Sequence, residues 1–154
     1  RVVLGGMHTA EVIWTSDGDF ASGQYSRAHL WRFDGGLDVP ASPSPSIVPP
    51  PLGLAEAVDP EEAFVASISS CHMLWFLDVA QRAGWNVASY RDLATGALRQ
   101  SDGVVWIPRV DLNVEVTFVG DTPDRTTHLA LHDKAHHACF IANSVKTDIV
   151  VNLS

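Results

Sequence analysis

Cysteine is scarce in this sequence. Cys71 and Cys139 are the only two cysteines among 154 residues, which is too few for a disulfide scaffold. They lie 68 positions apart, which is not the spacing of a zinc knuckle. In a reducing cytoplasm such a pair is either two buried small side chains or a redox couple.

Basic residues and long apolar runs are also in short supply. Lys and Arg total 10 against 18 Asp and Glu, a formal net charge of -8, which argues against a nucleic-acid partner. No apolar run approaches the roughly 18 to 20 residues that span a bilayer, because residues 73–80 already contain Asp78. The sequence therefore predicts a soluble protein without a membrane partner. It also lacks the GxSxG elbow of serine hydrolases and the GxxxxGK phosphate loop.

Apolar residues are plentiful enough for a core. Hydrophobic residues make up 46% of the chain and charged residues 18%, so we expect one folded domain. Residues 1–6 have no apolar signal region, and Met7 has the character of a natural start. We expect residues 1–6 to be a leader or vector-derived, and the domain to occupy residues 7–154.

Alternating and helical patterns predict the order ββ, loop, α, ββ, α, β. Residues 8–14 and 25–33 alternate as two strands of a hairpin, and six prolines in residues 40–51 predict an extended loop. Residues 86–98, 104–118 and 147–153 are also strand-like. Helices segregated between hairpins predict an α+β fold.

Both predicted helices have clear starts. Asp59, Pro60 and two acids open the first, which Gly84 closes, and Thr122-Pro123-Asp124 opens the second. In the first helix one apolar stripe has the spacing i, i+4, i+7, i+11 and consists of Phe64, Ile68, Cys71 and Trp75. We therefore expect Cys71 inside the fold.

The residues alone leave the chemistry open. Both cysteines can be inert buried side chains. His132, His136 and Cys139 follow at i, i+4 and i+7, so they could converge on zinc as a minor alternative, although no CxxC or HExxH accompanies them. His72 follows Cys71 directly, but neighbours on a helix seldom face each other.

Two motifs resemble those of one family. Residues 59–71, from Asp59-Pro60-Glu61-Glu62 to Cys71, resemble the (Asn/Asp)-Pro-Glu-Glu-x(9)-Cys signature of the OsmC/Ohr family, the osmotically inducible and organic hydroperoxide resistance proteins. Residues 135–145 resemble its second motif, Ala-His-x-x-Cys-Pro-x-Ser-Asn-x-x, with Phe140 in place of Pro and Ala142 in place of Ser. The stretch around Cys71 is most similar to an OsmC-like branch.

The resemblance implies an α+β OsmC-like fold with antiparallel sheets and two central helices in an intertwined homodimer. It also implies a cytoplasmic, thiol-dependent peroxidase for organic hydroperoxides that needs no bound cofactor or metal. Cys71 would be the peroxidatic cysteine that forms a sulfenic acid, and Cys139 would resolve it to a disulfide. An external dithiol, such as that of a lipoylated protein, would reduce this disulfide.

The resemblance assigns further residues to the site. Glu61 would orient a catalytic arginine by a bidentate pair, and that arginine would keep Cys71 ionised. Arg27 is the first candidate and Arg32 the second. Beside Cys71, apolar side chains would favour organic hydroperoxides over hydrogen peroxide, and these are Phe64, Ile68 and Trp75. The alternative is a non-enzymatic OsmC-like module that binds a small apolar ligand.

Overall fold

The computed structural model describes residues 4–154. Of the expected leader, residues 1–3 lie outside the described part. The chain divides into two compact units, one ending at Ala63 and the other comprising Phe64–Ser154. The expectation of a single domain over residues 7–154 stays a prediction.

The first unit contains a three-stranded antiparallel sheet in the order β1-β2-β3. Its strands are β1 (Ala10–Ile13), β2 (His29–Phe33) and β3 (Asp38–Ala41). The predicted hairpin is confirmed, since Ala10 pairs with Phe33 and Ile13 with Leu30. The second strand is shorter than predicted, because it begins at His29 and leaves Arg27 in the preceding segment.

Pro40 lies in an unpredicted strand. It occupies β3, on the outer side of β2, and its carbonyl accepts a hydrogen bond from Val58 N. Proline is tolerated there because an edge strand can do without one ladder donor. The rest of the proline-rich stretch is the expected loop, and the buried Ser42 hydroxyl accepts a hydrogen bond from Leu54 N at its base.

Two helices carry the predicted caps. Helix α1 (Pro60–Arg82) starts after Asp59, whose carboxylate accepts a hydrogen bond from Glu62 N at 2.8 Å, and it ends before Gly84, which has φ +88°. Helix α2 (Arg125–Ala138) starts after Asp124, which accepts from Thr127 N at 2.8 Å, and its C-cap residue is Cys139. Both starts agree with the sequence prediction.

The second unit is organised around one long strand. Its strands are β4 (Val87–Asp92), β5 (Thr95–Gly96), β6 (Arg99–Ser101), β7 (Val104–Trp106), β8 (Arg109–Phe118) and β9 (Asp148–Leu153). Strands β4 and β5 pair antiparallel with β8, whereas β9 pairs with β8 in parallel after α2. Strands β6 and β7 form a separate hairpin around the expected turn, where Asp102 and Gly103 both have positive φ.

Helix α1 contributes to two apolar clusters of the second unit. Ile68 packs with Ile107 and the inward residues of β8, namely Val110, Leu112 and Val114. Further along, Phe76 and Ala80 pack with Leu131 and Ala135 of α2. The fully or almost fully buried stripe is thus Ile68, His72, Phe76 and Ala80, not the stripe expected through Cys71. Because α1 is apolar on several faces, periodicity alone did not select the buried one.

A good part of α1 remains uncovered in the single chain. Within residues 4–154 it is one helix that could cross a membrane by length and composition, so the expectation that no segment would qualify was too strict. The mean hydropathy over 18 residues of this helix stays high although Asp78 is charged. Only 22% of that most apolar window is buried in this chain, and Leu74 is 60% exposed.

Candidate functional site

The two cysteines are neighbours in the second unit. Cys139 is fully buried and Cys71 is partly exposed, and both are free thiols. Burial raises the pKa of the Cys139 thiol, and the neighbouring Cys71 thiol raises that pKa further. Two residues 68 positions apart in sequence therefore lie within reach of each other.

The end of α2 positions Cys139. Its backbone N–H donates to the His136 carbonyl, and its Sγ accepts a hydrogen bond from Ala142 N at 3.4 Å. Ala142 opens a short 3-10 turn, Ala142–Ser144, which follows the helix. The buried sulfur thus has a backbone donor aimed at it, which favours negative charge on sulfur when the thiol ionises.

Two buried histidines, one from each helix, bond to each other in the second unit. His72 and His132 are each 1% exposed. His72 Nε2 lies 2.9 Å from His132 Nδ1, and His132 Nε2 lies 3.2 Å from Nε2 of the partly exposed His128. Phe76 stacks on the His132 ring with centroids 4.1 Å apart. We call His128, His132 and His72 the imidazole chain.

Burial keeps the imidazole chain neutral. It lowers the pKa of His72 to about 4, with a further lowering by the charge of His136. It lowers the pKa of His132 to about 3, and that of His128 is lowered by burial and by Arg125. Buried neutral imidazoles of this kind need hydrogen-bond partners, and each link of the chain provides one.

Three buried polar atoms in this region have no partner among the described residues. They are His72 Nδ1, His136 Nδ1 and the Tyr90 hydroxyl. Burial also raises the pKa of the Tyr90 hydroxyl, with Asp92 adding to it. Since an unpaired buried polar group costs about 1–3 kcal/mol, these atoms mark a place where a polar ligand or water would be stabilised.

The residues considered for zinc do not converge. Both ring nitrogens of His132 face other imidazoles, not His136 and Cys139. Across residues 4–154 no group of three or more His, Cys, Asp or Glu side chains is placed to hold a metal ion.

The predicted arginine and acid are not paired with each other. Arg27 Nη1 donates to the carbonyls of Gly23 and Tyr25, and its guanidinium lies 3.7 Å above the Tyr25 ring. Of the salt bridges formed by residues 4–154, none joins Arg27 to Glu61, so the expected bidentate pair is absent. Arg32 Nε forms a salt bridge with Asp38 Oδ1 at 2.8 Å. The roles of Arg27 and Glu61 stay predictions.

The comparisons with known proteins identify the family. Residues 53–154 match the model of the family described as OsmC-like protein. The chain belongs to the OsmC-like family. Its α+β fold, with two helices and largely antiparallel sheets, is therefore confirmed, and the second unit contains both cysteines of the predicted motifs.

Solved OsmC-like structures extend this result. An OsmC-like protein of unknown function from Vibrio cholerae is 45% identical, with a TM-score of 0.91 over 97% of this chain and 100% of that chain. The organic hydroperoxide resistance protein OhrB of Bacillus subtilis is 22% identical, with a TM-score of 0.66 over 95% and 98%. The organic hydroperoxide resistance protein OsmC of Legionella pneumophila is 18% identical, with a TM-score of 0.68 over 97% and 98%.

The last two likenesses concern the fold alone. No curated protein matches the chain.

Only part of the apolar surface predicted beside Cys71 is exposed. Ile68 is fully buried in the core, so in this arrangement it has no surface to offer a ligand. Phe64 and Trp75 are partly exposed and stay predicted. Sequence reasoning missed Phe140, which is 54% exposed and meets Trp75 edge-on at 5.3 Å between centroids. Its position directly after Cys139 was the available signal.

Sequence reasoning also missed the imidazole chain. His128, His132 and His136 recur every four residues, which places them on one side of a helix. What the spacing did not indicate was that His72, from another helix, would be the partner.

Proposed function

We propose that this OsmC-like protein is a thiol-dependent peroxidase that reduces organic hydroperoxides to alcohols. Cys71 would form a sulfenic acid and then a disulfide with Cys139. One observation carries the proposal: two free thiols are near enough to influence each other's ionisation, and one belongs to a partly exposed residue while the other is fully buried. Disulfide formation needs such a juxtaposition, and two inert core cysteines do not.

Burial supports the assignment of the two roles. Cys71 is the more exposed of the two cysteines, which favours it as the residue that meets the hydroperoxide. Cys139 has no exposed surface, and its raised pKa keeps it a thiol, the poorly nucleophilic form. Cys139 is thereby shielded from direct oxidation until Cys71 has become a sulfenic acid. It then condenses with that group, releasing water and preventing further oxidation.

The apolar neighbours support organic substrates. Trp75 lies one turn after Cys71 on α1, and Phe140 follows Cys139 directly. The two rings form an edge-on pair that leaves more than half of Phe140 exposed. An alkyl or aryl group that covers this surface gains about 25 cal/mol per Å² of apolar area, a gain that hydrogen peroxide cannot make.

The catalytic cycle requires an external reductant. We propose a small or protein-bound dithiol, such as that of a lipoylated protein, because thiol exchange needs only an accessible sulfur of the disulfide, and Cys71 would provide it. A reducing compartment suits such a cycle, so we place the protein in the cytoplasm.

The uncovered side of α1 supports a homodimer. A helix with only 22% of its most apolar window buried presents an unusual amount of apolar surface to water. We propose that the same helix of a second copy covers it. A two-fold interface of this kind is self-complementary, so no other partner is required.

Variants of the two cysteines test the proposed function. We expect the wild type to consume cumene hydroperoxide with a dithiol reductant, and Cys71→Ser to lose this activity. Cys139→Ser should keep one oxidation step and accumulate a sulfenate on Cys71 that dimedone traps. Ser70→Ala is the matched control, since it alters an exposed neighbour of Cys71, and it should behave as the wild type.

Two outcomes would contradict this function. Wild-type turnover by Cys71→Ser would remove the proposed nucleophile. Two free thiols after a stoichiometric dose of hydroperoxide, in folded wild-type protein, would favour the non-enzymatic binding module instead.

A further inference from the structure

A backbone N–H of the turn after α2 is aimed at the sulfur of Cys139. Cys139 is the C-cap residue of α2, and the 3-10 turn Ala142–Ser144 follows it. Within this turn Ala142 N donates to Cys139 Sγ at 3.4 Å. An N–H donor to sulfur stabilises the thiolate more than the thiol, because the hydrogen bond to the charged form is stronger.

Two features of the surroundings oppose a negative charge on this sulfur. Burial raises the pKa of the Cys139 thiol, whereas the backbone groups of Ala142 and Ile141 lower it. The unpaired carbonyls at the end of a helix also place partial negative charge there. The backbone N–H of Ala142 acts against both effects.

The second step of the proposed reaction needs this charge. The thiolate is the nucleophile in disulfide formation, so Cys139 must first give up its proton. Its sulfur then attacks the sulfur of the Cys71 sulfenic acid, and the S–S bond forms as the S–O bond breaks. The hydroxide that leaves takes up the proton from Cys139, so one water is released. The peroxide has already removed the two electrons in the first step.

Asn143 ties the turn to the end of α2. Its side-chain Nδ2 donates to the His137 carbonyl at 3.1 Å, and its backbone N donates to the Cys139 carbonyl at 3.1 Å. The residue that directly follows Ala142 is thus attached to the helix end at two points.

Ser144 holds the turn from its other end. Its Oγ donates to the Phe140 carbonyl at 2.7 Å, and its backbone N donates to the Ile141 carbonyl at 2.9 Å. The motif given above has proline at position 140, which would restrict the chain through its fixed φ, and Phe140 imposes no such restriction. Hydrogen bonds therefore have to fix the direction of the Ala142 N–H.

The location of these two side chains favours such a role. Both Asn143 and Ser144 are exposed, so neither fills space in the core. Water competes for hydrogen bonds at an exposed position, and the net gain in stability is small. Holding the turn around the sulfur gives both side chains a use that core packing does not.

We propose that Asn143 and Ser144 are positioning residues of the resolving step. They hold the N–H of Ala142 on the resolving sulfur, and this N–H stabilises the thiolate that attacks the sulfenic acid of Cys71. The inference rests on the proposed peroxidase function and adds to it what controls the second step.

The first measurement is the pKa of Cys139. In Cys71→Ser protein Cys139 is the single cysteine, and carbon NMR of its labelled Cβ follows ionisation without a reagent having to reach the buried sulfur. We expect Asn143→Ala and Ser144→Ala each to raise this pKa, leaving about 3-fold less thiolate at a given pH, because a looser turn weakens one hydrogen bond. The double variant should leave still less thiolate, and Ser144→Thr, which keeps the hydroxyl, should restore the original pKa.

The second measurement separates the two steps in protein that has both cysteines. Rapid mixing with cumene hydroperoxide, acid quenching and intact mass give the rates of sulfenic acid formation and of disulfide formation. In the double variant we expect disulfide formation to be about 3- to 10-fold slower below the pKa of Cys139 and to recover at higher pH. Sulfenic acid formation should keep its rate.

Asn152→Ala is the matched control. Asn152 is also an exposed asparagine whose Nδ2 donates hydrogen bonds, to Asp111 and Asn113, but it lies on β9 and not in the turn. The same substitution there should leave the pKa of Cys139 and both rates unchanged.

The outcomes separate the two proposals. An unchanged pKa of Cys139 in the double variant would overturn the inference, and so would equal slowing of both steps or slowing that persists at every pH. Each of these results leaves the peroxidase intact. Parent protein that forms no sulfenic acid with cumene hydroperoxide would overturn the proposed function, whereas the pKa measurement would still decide whether the turn stabilises the thiolate.

Discussion

Acid should destabilise this protein through its two fully buried histidines. His72 has its pKa lowered to about 4 and His132 to about 3, against 6.5 for an ordinary histidine. A group whose neutral form is favoured by folding stabilises the protein fully above pH 6.5. That contribution is lost as the pH falls towards the pKa that the histidine has in the folded protein. In this range the histidine is protonated in the unfolded chain but stays neutral in the folded chain.

The size of the effect follows from these values. Between pH 7 and pH 4.5 each of the two histidines should remove about 2.5 kcal/mol from the free energy of unfolding, given about 1.4 kcal/mol per pKa unit. The two together remove roughly 5 kcal/mol, which is comparable to the whole stability of many domains. The pKa values of Asp38, Asp111 and Asp124 are all lowered from 3.8 by hydrogen bonds, so these carboxylates contribute mainly below this window.

Urea unfolding between pH 7 and pH 4.5, followed by the fluorescence of the five tryptophans at fixed protein concentration, measures this loss. In His72→Phe, which keeps a ring but has no titrating group, the loss should fall to about half. His137→Gln, exposed and outside the imidazole chain, should retain the wild-type slope. Stability that is flat from pH 7 to pH 4.5, or an unchanged slope in His72→Phe, would refute the reasoning.

Three smaller predictions follow from individual contacts. Phe76→Ala should lower the free energy of unfolding by about 3–5 kcal/mol, because it empties a fully buried site between α1 and α2; urea titration measures this, and a loss below 1 kcal/mol would contradict the packing. Asp124→Ala should cost about 1 kcal/mol by removing the cap of α2, whereas Asp124→Asn should cost little. Phe140→Ala should reduce kcat/KM for cumene hydroperoxide about 10-fold and leave hydrogen peroxide unaffected; equal loss for both peroxides would contradict an apolar substrate surface.

Local signals in the sequence predicted the helices well. Asp59 and Asp124 each accept a hydrogen bond from a backbone N–H of the first turn, which is the interaction that makes Asp a frequent N-cap. The turn at Asp102 and Gly103 was predicted equally well, since both residue types tolerate positive φ. These features depend on residues within a few positions of each other.

Long-range pairing was harder to predict. The parallel pairing of β9 with β8 joins residues about 40 positions apart, and nothing within either strand specifies the direction. Pro40 made a strand unexpected because proline lacks a backbone N–H donor, but an edge strand does not need that donor. On α1 the apolar residues cover several faces, so the burial of His72 and Phe76 was decided by α2 and not by the pattern of α1 itself.

The candidate site was likewise predicted from local motifs but not from long-range contacts. The motifs led to both cysteines, and the two thiols are near enough in the structure to affect each other's ionisation. The sequence shows histidines on α2, and zinc binding by His132, His136 and Cys139 was considered there as a minor alternative. The structure shows instead that His132 bonds to His128 of the same helix and to His72 of α1.

Oxidation of the two thiols tests the central claim most directly. The fully reduced protein is treated with one equivalent of cumene hydroperoxide, and its free thiols and intact mass are measured before and after. We predict that both thiols disappear and that the chain loses the mass of two hydrogen atoms, with a Cys71–Cys139 bond found in the peptide map. Two remaining thiols with an unchanged mass, or a disulfide that joins Cys71 residues of two copies, would contradict the account.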